Sequence, residues 1–248
     1  MNDEQYKNLM WHLLYVEGLL ENAAEEIGGG GCECPLCKAK FPAYRPSKKS
    51  LIPKSICPNC NSLPRHRALR LLIEKLNWYH KGMRVLHFAP ESMFYKLFSS
   101  FKDIDYWPVD FNPKVFGIRK VVDITEIPFD DDSFDLIMCT HVLEHIPDDR
   151  KAMRELYRVL KPRTGIALLN VPIWREHTLE NHEYNTPELR TKYYGQVDHV
   201  RMYGLDYPQR LNEAGFEVQE FKLNELPKED VKRYGLLKIE KLFWCRKE

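Results

Sequence analysis

The chain has 248 residues, 44% hydrophobic and 12% aromatic, with 37 Lys and Arg against 36 Asp and Glu. That composition supports a sizeable packed core and excludes a disordered or fibrous chain, and a net charge of +1 excludes a global attraction to nucleic acid or to an anionic membrane. No apolar run approaches the roughly 20 residues that span a bilayer, and Met1, Asn2, Asp3 and Glu4 lack the basic and apolar pattern of a signal peptide. The expectation is a cytoplasmic protein without membrane insertion.

Residues 1–31 carry one lysine against six acids and read as an amphipathic helix with Tyr6, Met10, Leu13, Leu20 and Ala24 near one face. Gly28 to Gly31 end it and form a flexible linker. Such a helix docks on its own chain or on a second copy, so self-association is an expectation. Five of the seven cysteines follow between Cys32 and Cys60. In a reducing compartment that clustering points to metal rather than to disulfides. Cys34-Pro-Leu-Cys37 and Cys57-Pro-Asn-Cys60 each let two thiolates meet one ion, which predicts a zinc ribbon over residues 32–63 with a tetrahedral site of Cys34, Cys37, Cys57 and Cys60. Cys32 is the alternative to Cys34. The segment is too short for a core of its own, so the zinc is expected to be structural. Residues 32–70 also hold nine Lys or Arg against Glu33 alone, a local basic patch.

A helix is predicted from Pro64 to about Tyr79, with Gly82 closing it. Short apolar runs then alternate with helical stretches. Strands are expected at Arg84 to Phe88, Asp105 to Val109, Lys120 to Val122, Phe134 to Cys139, Gly165 to Val171, Phe216 to Lys222 and Lys238 to Arg246. Helices are expected at Glu91 to Phe101, Asp149 to Leu160 and Asp206 to Ala214. This alternation predicts an α/β domain over residues 64–248, with a parallel, doubly wound sheet and helices on both faces. Ligands on such sheets bind past the carboxyl ends of the strands. That singles out His87 to Glu91, Asp110 to Asn112, Asp123 with Ile124, and Thr140 to His145. Cys139 and Cys245 read as plain core residues.

The stretch from Asp123 through Ile127-Pro-Phe, Ser133-Phe-Asp and His141-Val-Leu-Glu-His145 to Arg158-Val-Leu-Lys-Pro162 resembles class I S-adenosylmethionine-dependent methyltransferases with a type 11-like domain. The resemblance covers about residues 83–246. It implies a Rossmann-like, seven-stranded sheet with an antiparallel last strand, and S-adenosylmethionine as cofactor. It also implies that Asp110 holds the ribose hydroxyls, that Asp123 and the Ile124 amide read the adenine between Phe111 and Ile124, and that Thr140 and His141 line the methionine end. The residues themselves leave Asp123 a second role, capping the next turn. Where the family carries an acid and a glycine-rich loop, this chain reads Leu86-His-Phe-Ala-Pro-Glu-Ser92, without glycine. Ala89 and Pro90 would therefore supply a different tight turn there, with Phe88 and Ala89 beside the cofactor, and Glu91 would bind the methionine amino group.

Methyl transfer to a hydroxyl needs alignment and removal of a proton. His141, Glu144 and His145 would share one face of a helix starting at the strand end. They resemble an E-x-x-E-H cluster that binds a divalent metal in some small-RNA and quinone-precursor O-methyltransferases, where a distant His joins it in the small-RNA enzymes. Residues 173–203 form an aromatic- and His-rich insertion of the kind that recognises substrate. Within it, Asp198 is expected to orient His199 as general base, with Arg201 near an anionic acceptor. The expected acceptor is RNA, guided by the ribbon, or a small hydroxylated metabolite such as a sugar. The alternative is a non-catalytic zinc-ribbon binding or scaffold protein that retains the fold.

Overall fold

The computed structural model describes Val16 and residues 31–46 and 55–248. The helix expected over residues 1–31 lies outside these apart from Val16 and Gly31, as do Lys48, Lys49 and Lys54 of the basic patch. Among the described residues no helix is long and apolar enough to cross a membrane.

The chain separates into two compact units: the described residues up to Asn77 together with Lys222–Glu240, and Trp78–Phe221 together with Lys241–Glu248. In the first, strands β1 (Cys32–Glu33) and β2 (Lys40–Phe41) pair antiparallel, and helix α1 spans Pro64–Lys75 with proline in its first turn. The helix stops short of the expected Tyr79, with Asn77 at φ 46°. Arg67, read in the sequence as part of a basic surface, is 0% exposed. Its guanidinium donates to the carbonyls of Ser62 (2.6 Å), Tyr234 (2.6 Å) and Gly235 (2.7 Å) and lies 4.0 Å from the Tyr44 ring centroid. It is a buried strut rather than an anion-facing charge, satisfied because carbonyls surround it.

The second unit holds a seven-stranded sheet. Its elements are β3 (Arg84–Phe88), α2 (Ser92–Ser100), β4 (Asp105–Asp110), β5 (Lys120–Val121), β6 (Leu136–Thr140), α3 (Asp149–Val159) and β7 (Ile166–Asn170). After these come β8 (Ile173–Arg175), α4 (Pro187–Tyr194), β9 (Tyr203–Gly204), α5 (Tyr207–Glu213), β10 (Glu217–Phe221) and β11 (Leu242–Arg246). The strand order is β10-β11-β7-β6-β3-β4-β5, with β11 antiparallel to both its neighbours and the other pairings of β3 to β7 parallel. This is the Rossmann-like arrangement with an antiparallel last strand. Every residue of β6 and of β7 is buried, which explains their unbroken apolar runs. Helix α3 is started by the Asp148 side chain, which accepts from the Lys151 amide, and it lays Ala152, Met153, Leu156 and Val159 into the core. Cys139 and Cys245 belong to the same core cluster.

The sequence gives no sign of the order in residues 173–204. There β8 and β9 pair in parallel, while α4 is capped by the Thr186 hydroxyl and ended by Gly195 at φ 88°. The parallel pair and the helix turn what reads as a long loop into a built substructure.

Candidate active site

The carboxyl ends of β3, β4 and β6 meet where the expected cofactor residues lie. Phe88 is buried in the core. Ala89 takes the left-handed conformation, φ 46°, and its amide donates to Val109 O at 3.0 Å, so the turn closes without glycine. An alanine there costs roughly 1–2 kcal/mol of backbone strain, a cost borne where sites are commonly built. Glu91 caps the start of α2 from extended backbone, and its Oε1 accepts from the Thr140 hydroxyl at 2.6 Å. Asp110 ends β4 with Oδ1 accepting from the Asn112 amide at 2.7 Å. Asp123 Oδ1 accepts from the amide and the hydroxyl of Thr125, both at 2.8 Å, so it caps its turn as the alternative reading has it. Ile124 is buried in the core cluster, whereas Phe111 is 73% exposed with its ring toward solvent. Phe116 in the same connection is 91% exposed.

The second cluster begins one residue further along β6. His141, φ 54°, donates its amide to Asn170 O at 2.8 Å. The chain then makes a single 3-10 turn, Leu143–His145, and not the helix expected at this point. That turn carries Glu144 inward, 1% exposed, with neither carboxylate oxygen in a hydrogen bond. Nδ1 of His141 stands 3.3 Å from Glu144 Oε1. His199 comes from the far end of the insertion, held by the Val200 amide donating to Glu144 O at 2.9 Å. Its Nδ1 lies 3.0 Å from Tyr194 O, and its ring meets that of His145 edge-on at 4.7 Å between centroids. Burial lowers the His199 pKa and favours the neutral ring, which donates from Nδ1 to the carbonyl and keeps a lone pair on Nε2. One ligand atom from each of Glu144, His145 and His199 lies within 4.8 Å of the others.

Two expectations are corrected here. Asp198 does not orient His199: it is an exposed turn residue whose Oδ2 lies 3.3 Å from Nδ1 of His145. Arg201 does not face an acceptor: it is 1% exposed, donates to the carbonyls of Leu143 (3.0 Å), Ile146 and Pro147 (2.9 Å), and pairs with Glu180 at 2.6 Å. Three carbonyls satisfied by one guanidinium fix the turn that carries Glu144 and His145.

Residues 100–168 match the methyltransferase domain family. Over that span, under half of its length, the chain is similar to methyltransferase domains. It is similar to YcgJ, an uncharacterized methyltransferase of Bacillus subtilis, at 31% identity over 110 residues, which are 44% of this chain and 38% of that protein. It is also similar to demethylmenaquinone methyltransferase of Listeria welshimeri, at 39% identity over 56 residues, 21% of this chain and 24% of the relative. The aligned stretches span well under two thirds of either relative. In fold it resembles Haemonchus contortus phosphoethanolamine N-methyltransferase 2 in complex with S-adenosyl-L-methionine, at a TM-score of 0.50 and 16% identity over 73% of this chain and 52% of that one. The span matched to the methyltransferase domain family includes Asp110, Asp123, Thr140, His141 and the turn of Glu144 and His145. It leaves out the β3 turn and His199.

In the other unit, Sγ of Cys34 lies 3.6 Å from Cys60 Sγ and Sγ of Cys37 lies 3.7 Å from Cys57 Sγ. Four thiolates around one zinc at about 2.3 Å stand about 3.8 Å apart at tetrahedral geometry, so Cys34, Cys37, Cys57 and Cys60 fit a small zinc-binding site. Cys32 is buried beside them and is not one of the four. Burial opposes ionisation of Cys37, yet hydrogen bonds from Asn59 and the Ala39 amide bring its pKa to about 7.

Proposed function

We propose that the chain is an S-adenosylmethionine-dependent methyltransferase that alkylates a hydroxyl oxygen, and that zinc on Cys34, Cys37, Cys57 and Cys60 is structural. The observation that carries the acceptor chemistry is Glu144, a buried carboxylate with no hydrogen-bond donor, facing His145 and His199 beside the strand end where the cofactor's methyl group would arrive. A carboxylate and two imidazoles are a fitting donor set for a divalent cation. A cation held by Glu144, His145 and His199 would supply Lewis acidity toward the acceptor hydroxyl. In this reading Asp110 binds the ribose hydroxyls, Phe111 covers the adenine, Asp123 reads its amino group, and Thr140 and Glu91 surround the methionine end. Glu144, His145 and His199 hold the acceptor side, with Asp198 setting the His145 ring. S-adenosylmethionine bound there would supply the methyl group to the acceptor oxygen and leave as S-adenosylhomocysteine, and the hydroxyl proton would pass to solvent or to a neighbouring base.

Calorimetric titration of the zinc-loaded protein with S-adenosylhomocysteine is expected to give micromolar binding. Turnover with labelled S-adenosylmethionine is then measured on cellular RNA and on a pool of hydroxylated metabolites, with and without Mg2+, Mn2+ or Co2+. Incorporation into one pool identifies the acceptor class. Tight cofactor binding with no incorporation into either pool would favour the scaffold reading.

A further inference from the structure

The acid expected at the end of the first strand of such a sheet is here a histidine, His87, and it is 0% exposed. Burying an imidazole costs free energy unless both nitrogens are satisfied, and both are: Nδ1 lies 2.9 Å from the Tyr106 hydroxyl and Nε2 lies 3.1 Å from Glu91 Oε2. The order of donors follows from the ends of the chain. Burial raises the Tyr106 pKa far above neutrality, so the phenol keeps its proton. An ionised Glu91 only accepts. With the phenol donating to Nδ1 and the carboxylate accepting from Nε2, His87 bridges Tyr106 and Glu91, while the Thr140 hydroxyl donates to the other Glu91 oxygen at 2.6 Å. Tyr106, His87 and Thr140 come from β4, β3 and β6, and they pin one carboxylate at the carboxyl ends of adjacent strands.

The geometry points to His87 as a positioning residue that aims Glu91 at the amino group of the cofactor's methionine portion. This rests on the cofactor reading above. In a glycine-rich loop the backbone itself comes close to the cofactor. Here the turn is made by Ala89 and Pro90, and the acid sits four residues beyond the strand-end position, at the start of α2. Such a displaced acid needs an external brace, and the Tyr106–His87 relay together with the Thr140 hydroxyl supplies one.

The test compares two ligands that differ at the relevant end. S-adenosylhomocysteine carries the amino-acid portion; 5′-methylthioadenosine keeps the nucleoside and the thioether without it. Calorimetry is run on the wild-type protein and on His87→Phe, His87→Gln, Tyr106→Phe and Glu91→Gln. His87→Phe and Glu91→Gln are expected to weaken S-adenosylhomocysteine about tenfold or more, the scale of one charge-assisted hydrogen bond, and to change methylthioadenosine less than about twofold. His87→Gln, whose amide still donates, is expected to recover most of the loss. Tyr106→Phe, which keeps the ring in place, reads the same selectivity if His87→Phe fails to fold. Equal weakening of both ligands, or an unchanged affinity ratio, overturns the role of His87 and leaves the cofactor reading standing. A wild-type protein that binds neither ligand overturns both.

Discussion

Glu144 is expensive. A buried carboxyl group without a donor forfeits roughly 1–3 kcal/mol of an unmade hydrogen bond, yet the 3-10 turn holds it inward close to the imidazoles of His141, His145 and His199. Glu144→Gln removes the charge and keeps the shape, so it is expected to raise melting temperature or leave it unchanged while cutting turnover at least 100-fold, with S-adenosylhomocysteine affinity within about twofold. Turnover at the wild-type rate would show that the carboxylate is a folding accident. The placement of Asp110 at the end of β4 and of Asp123 just past β5 is legible in the sequence because the end of a strand is a sequence position. The partnership of Glu144 with His199 is not, because they are far apart in the chain and only the packing of the insertion joins them. Neighbours in sequence mislead in the same way: Asp198 and His199 are adjacent, but one side chain is 61% exposed and the other residue is 4% exposed. His87 is hidden by its strand, since a residue in a run buried on both faces shows no alternation to mark it as polar-facing.

At the scale of elements, the turn from Leu143 to Pro147 depends on Arg201 more than on its own sequence. Replacing one partner of a buried ionic network costs about 3–5 kcal/mol. Arg201→Met is therefore expected to lower stability by that order and to cost activity beyond the loss of folded protein, because three carbonyls lose their donor and Glu144 loses its support. Glu180 pairs with both Arg201 and Arg210, and although burial opposes it, these guanidinium groups hold its pKa below the ordinary 4.5. A carboxylate depressed in the folded state contributes stability that is full above about 4.5 and is lost as pH falls through its folded value. Glu180→Gln should therefore narrow the stability gap between pH 6 and pH 3 in urea titrations; an unchanged acid limb would remove Glu180 from the network. The strands were readable because central parallel strands are unbroken apolar runs. Helix α4 was not, since Tyr194 is its one buried residue and no apolar period marks it.

For the molecule as a whole, the two units differ in what holds them together. The sheet unit has an extensive apolar core of its own. The cysteine unit holds a small cluster around Cys32, Cys34, Tyr44 and Cys57, with Arg67 threaded through carbonyls beside Tyr44, and α1 adds the buried Ala68, Leu69, Leu72 and Ile73. On the proposed structural role of the zinc, metal–thiolate bonds would contribute much of the folding free energy of the cysteine cluster. Metal analysis is expected to find one tightly held zinc per chain, lost in Cys57→Ser. A strong chelator, or that substitution, is expected to pull the melting of the cysteine unit down to a separate, lower transition while the sheet unit keeps its own. Binding of S-adenosylhomocysteine to the chelated protein below the second transition should persist, because every residue assigned to the cofactor lies in the sheet unit. A metal-free protein that melts in one unchanged transition would assign the stability of the cysteine unit to Arg67 and Tyr44 instead. Loss of cofactor binding together with zinc would make the ribbon part of the site rather than its companion.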